Sequence, residues 1–76
     1  MTGHEKIIWN KLILKTKNFP EYKNLNDEYK EILEHCFKLY KEDNDRLCFL
    51  IINLLPKEAQ DIFLSLKRQW RWNCGA

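Results

Sequence analysis

The sequence predicts an all-α protein, a small four-helix bundle with short connections. Two observations carry that prediction. The chain has only two glycines and two prolines, and both glycines, Gly3 and Gly75, fall at its ends. Between them, apolar residues recur at helical spacing, and no segment alternates cleanly enough for a strand. A chain of 76 residues supplies one hydrophobic core, so residues 1–76 are read as a single helical domain. Its 45% hydrophobic content is far above that of a disordered segment, and its 32% charged residues suit a solvated exterior.

The first helix is expected over residues 5–17. Ile8, Trp9, Leu12, Ile13 and Thr16 share one face, while Ile7 and Leu14 form a second apolar stripe. Phe19 and Tyr22, in the turn-rich connector around Pro20, are the residues expected to cover that stripe. The second helix, residues 27–41, is the clearest. Tyr29, Ile32, Leu33, Cys36, Phe37, Leu39 and Tyr40 make a broad apolar face opposite Lys30, Glu31, Glu34, Lys38 and Lys41. Asn26 is a good N-cap, and Asp27 and Glu28 place negative charge at the positive end of the helix dipole.

The segment KEDNDR then interrupts with residues that bond locally to their own backbone. The apolar phase runs on through it, so helices two and three could form one long rod. Asp43 and Asn44 fall where that rod would need apolar groups, and a break at 43–45 is favoured. The third helix, residues 44–55, is apolar on nearly all sides, which reads as the central core element. The fourth, residues 56–73, begins at Pro56 and carries Ala59, Ile62, Phe63, Leu66 and Trp70 on one face.

Several chemistries are disfavoured. His35 and Cys36 are adjacent, but neighbours on a helix point about 100° apart, and Cys36 lies on the apolar face. There is no Gly-rich phosphate loop, nucleophile elbow or HExxH, so an enzyme is not expected. His4, His35, Cys36, Cys48 and Cys74 are scattered singly, which argues against a structural metal. No cofactor is implied. An odd cysteine count without CxxC favours a reducing compartment, and the expected location is intracellular, cytoplasmic or nuclear. No apolar run approaches the roughly 20 residues of a membrane span, so no membrane partner is expected.

Binding remains, and the C-terminal helix is where it is sought. In helical projection Trp70 joins the core face, whereas Trp72 falls on the far side with Leu64, Arg68 and Arg71. Tryptophan offers a large rigid surface and arginine a planar fork of donors, the residue types that dominate interface hot spots. Leu64, Arg68, Arg71 and Trp72 are therefore the candidate partner-binding residues. The function expected is that of a non-catalytic adaptor, or a regulator or inhibitor, acting on another protein; a homodimer belongs to the same class. Lys, Asn and Ile usage points to an AT-rich coding source, in keeping with a phage, virus or mobile element.

The alternative is a nucleic-acid-binding transcriptional regulator. Residues 44–55 and 56–73 flank a proline turn in helix-turn-helix outline. Within them, LLPKEAQDIFLSL resembles the opening helix of the last DNA-binding region of bacterial sigma factors. That resemblance spans thirteen residues of a common helix-start pattern and carries no function over. Lys57, Lys67, Arg68 and Arg71 add positive charge, but Glu58 and Asp61 sit in the same helix and net charge is only +2.

Overall fold

Three long helices converge on an aromatic centre. The computed structural model describes residues 1–74; Gly75 lies outside them. Five helices follow in order: α1 (Gly3–Lys17), α2 (Pro20–Lys23), α3 (Asp27–Lys41), α4 (Asp45–Ile52) and α5 (Lys57–Asn73). Because α2 is a single turn, the architecture is effectively the all-α four-helix bundle that the sequence predicts.

α1 starts two residues earlier than expected, and the reason is a capping box. Thr2 accepts from the Glu5 amide while the Glu5 carboxylate accepts from the Thr2 amide at 2.8 Å. Those hydrogen bonds to Thr2 hold the Glu5 carboxyl below the usual carboxylate range. Trp9, Leu12 and Thr16 are buried, as their shared face requires. The second stripe is a correction. Ile7 and Leu14 remain more than half exposed, because Tyr22 turns into the core and Phe19 is itself exposed.

Pro20 opens α2 at its first position, where its missing N–H costs nothing. α3 occupies the expected residues. Asn26 caps it by accepting from the Glu28 amide at 2.8 Å, and Leu33, Cys36, Phe37, Leu39 and Tyr40 are buried. The chain then breaks at Glu42–Asn44. Asp43 takes φ 64°, a left-handed conformation that aspartate tolerates better than most residues and that no continuous helix contains.

The core is built around Trp9, which is fully buried. Its ring meets those of Phe37, Tyr40, Phe63 and Trp70 at centroid distances of 5.0–6.3 Å, mostly edge to face. Its indole N–H donates to the Phe37 carbonyl at 3.0 Å, which ties α1 to α3. α5 lies along α1 and closes the cluster with Ala59, Ile62, Phe63 and Leu66.

α4 is the larger correction. It is not the central element but a two-turn helix packed mainly on α3. Only Cys48 and Ile52 within it are buried, joined by Leu55 just beyond its end. Leu47, Phe49, Leu50 and Leu54 face outward. An eight-residue helix at the edge of the bundle has one long neighbour and cannot be surrounded.

Candidate protein-docking site

α5 positions the candidate residues as a regular helix that runs to Asn73, so their relative directions follow from 100° per residue. With Phe63 and Leu66 buried, the opposite side carries Asp61, Ser65, Arg68 and Trp72, all exposed. Trp72 is 87% exposed, the most open of the large hydrophobic residues, and it lies one turn beyond Arg68. Leu64, 47% exposed, and Arg71 occupy the adjoining flank. The four residues singled out from the sequence are therefore all on the outer surface of one helix. Trp70 is set apart from them: it packs edge-on against Trp9 and Tyr40.

The Leu64–Arg71 flank borders α4. Lys67 lies one turn from each of those two residues, and its ammonium sits 4.4 Å from the centre of the Phe49 ring and 5.7 Å from that of Tyr40. Arg71 also reaches the field of Tyr40. Burial pushes the Tyr40 hydroxyl up and Asp45 adds to the rise, while Arg71 opposes it. Phe49, under the Lys67 ammonium, is partly exposed, and Leu47, Leu50 and Leu54 on and just after α4 are exposed as well. Sequence reasoning missed those four by assigning their helix to the interior.

The other flank of α5 borders a groove of about 830 Å³, which sequence reasoning also missed. Tyr22, Leu25, Tyr29 and Ile62 supply apolar wall, and Glu58, Asp61 and Glu21 are the charged residues that line it. Its volume lies within the range of clefts that take small molecules. No signal in the sequence joins these residues, because they come from α2, the α2–α3 connection, α3 and α5.

The thiols offer little chemistry. Cys36, Cys48 and Cys74 are free, and the first two are fully buried. Cys48 Sγ donates to the Cys36 carbonyl at 3.5 Å. Its hydrogen bonding with Cys36, with burial added, pushes the Cys48 thiol far up. A side-chain hydrogen bond with Cys48 draws the Cys36 thiol down against the burial expected to raise it. His35 is exposed, whereas the adjacent Cys36 is buried. Among the described residues, no group of three or more His, Cys, Asp or Glu is placed to hold a metal. No helix among them is long and apolar enough to cross a membrane.

Compared with protein-family models, curated proteins and solved structures, the chain gives no match. Its class is therefore that of its fold: a small all-α bundle with an open arginine–tryptophan face on its last helix.

Proposed function

We propose that this protein is a small non-catalytic adaptor or regulator, an inhibitor being one form, that acts by binding another protein through Leu64, Arg68, Arg71 and Trp72. The observation that carries this reading is Trp72, held on a regular helix at 87% exposure one turn from Arg68. Leaving a large aromatic surface in water forgoes stabilisation of about 25 cal/mol per Å², which a partner recovers. The open leucines of α4 beyond Phe49 extend the apolar area that a partner could cover. The proposed setting is intracellular, consistent with three free cysteines.

The nucleic-acid reading draws on the same arginines. Two observations favour protein over it. Lys67 is engaged over aromatic rings, and Glu58 and Asp61 place negative charge on the helix that would face phosphates. The helix-turn-helix outline is also weakened, since α4 rests on α3.

The test is a pair of measurements with the whole chain. Arg68→Ala with Trp72→Ala should weaken capture of a cellular protein partner by about 10-fold or more, as expected when hot-spot residues are removed. Unchanged capture would show that the face is misassigned. Titration with mixed DNA and RNA fragments, followed by tryptophan fluorescence, should give no binding that persists at near-physiological salt. Persistent binding would transfer the same residues to nucleic acid.

A further inference from the structure

The outer face of α5 has a charge pattern that complements its own reverse. Asp61 and Arg68 are seven residues apart, about 20° apart in projection and separated by roughly 10 Å along the axis. That distance is too long for them to pair within one helix. Neither they nor Glu58 and Arg71 join any ion pair formed among the described residues. Toward its N-terminal end the face carries Asp61, with Glu58 on the groove side and Lys57 on the other, and toward its C-terminal end Arg68 and Arg71, with Leu64 near the middle.

We infer that a second copy of this chain is a partner of this face, joined by antiparallel pairing of the two α5 helices. A two-fold axis between Leu64 and Ser65 sets Asp61 of each copy opposite Arg68 of the other, since the two residues are equidistant from it. The two leucines meet close to the axis. Antiparallel packing also brings like flanks together. Trp72 lies slightly toward the groove side of the outer face, and helical side chains lean toward their own N-terminus. Its ring therefore comes level with Glu58–Asp61 of the second copy, where the apolar groove opens. Each copy brings an indole to the mouth of the other's groove. The charged residues lining that groove, Glu21, Glu58 and Asp61, are all acidic, which suits the arginine beside the incoming tryptophan.

The contact is isologous, so it closes as a dimer and does not propagate. One helix pair and one indole from each side bury less than the roughly 800 Å² per partner of a standard interface. The dimer is therefore weak and reversible. Dimerisation hides Arg68 and Trp72, so binding of another protein competes with it. This inference rests on the reading of Leu64, Arg68 and Trp72 as a docking face and adds a specific occupant.

Sedimentation velocity from micromolar to millimolar concentration tests it. The native chain should show a reversible dimer that weakens as salt is raised. Asp61→Arg or Arg68→Asp alone places like charges opposite each other and should weaken self-association by about tenfold or more. An equimolar mixture of the two single variants should restore the dimer. In the mixed pair the arginine introduced at position 61 faces the aspartate introduced at position 68, and the other contact keeps its native Asp61 and Arg68. A native chain that stays monomeric, single reversals without effect, or a mixture that does not recover would each overturn the inference. Capture of another protein that is lost with Arg68→Ala and Trp72→Ala, by a native chain that stays monomeric up to millimolar concentration, would keep the docking face and remove only the second copy.

Discussion

Trp9 and Trp72 stand on neighbouring helices and meet opposite surroundings. Trp9 has four aromatic rings around it, a hydrogen bond to α3 and no exposure. Trp72 continues the α5 helix into open solvent. The contrast shows how a short chain divides its apolar residues. α1, α3 and α5 meet along one line and bury what points at it. Apolar residues pointing elsewhere, on α4 and at the end of α5, find no fourth wall. Stability should therefore concentrate at the aromatic centre and association at the periphery.

The strongest way to break that comparison is at Trp9. A domain of this length is stable by about 4–11 kcal/mol. Trp9→Ala should cost about 3–5 kcal/mol, a large share of that stability and the largest loss among these variants. Phenylalanine substitutions sharpen the point by comparing two partly equivalent rings. Trp9→Phe removes the N–H bonded to the Phe37 carbonyl and should cost about 1–2 kcal/mol beyond lost volume. The Trp70 indole N–H is buried with no partner among the described residues. Trp70→Phe removes that uncompensated donor, so its net cost should be smaller, within about 1 kcal/mol. Urea unfolding of the three variants gives the order, and an equal cost for both phenylalanine substitutions would count against the Trp9 hydrogen bond as a structural tie.

A gentler probe uses the cysteines. In the folded chain a small alkylating reagent should modify Cys74, which is partly exposed, and spare Cys36 and Cys48. Burial, with Glu5 adding to it, raises the Cys74 thiol, so even its reaction at neutral pH should be slower than that of a free thiol. The other two should react only as the α3–α4 pair opens, at a rate that reports the opening free energy. Mass spectrometry counts the labels. Rapid modification of all three would mean that α4 is loosely held, and would bring a reactive thiol back into the functional question.

How much of this is legible in the sequence depends on whether the signal is local. α3 can be read to the residue because a one-sided stripe, an Asn26 cap and the Asp43–Asn44 interruption all lie within one segment. The start of α1 is equally local, in Thr2 and Glu5, and sequence reasoning overlooks it by starting from the apolar stripe. α4 misleads for a different reason. Apolar residues on every side state that a helix has no polar face, not how many neighbours reach it, and two turns at the bundle edge reach few. The outward direction of Trp72 follows from helical phase alone. The groove does not, because its walls come from segments far apart in sequence.

The smallest expected effects lie on α4 and the turn that follows it, and they test the outer half of the comparison. Leu50 is 62% exposed and Leu54 81% exposed, so replacing either by lysine removes little buried surface. Surface substitutions of this kind usually change stability by within about 0.5 kcal/mol. Leu50→Lys and Leu54→Lys should therefore leave the urea midpoint of a dilute sample nearly unchanged. Repeating the measurement at high concentration separates two failures. A cost that grows with concentration would mean that a second copy covers these leucines, and would move self-association from α5 to α4. A cost above about 1.5 kcal/mol at every concentration would mean that they are buried within the chain, as the sequence pattern of the third helix suggests.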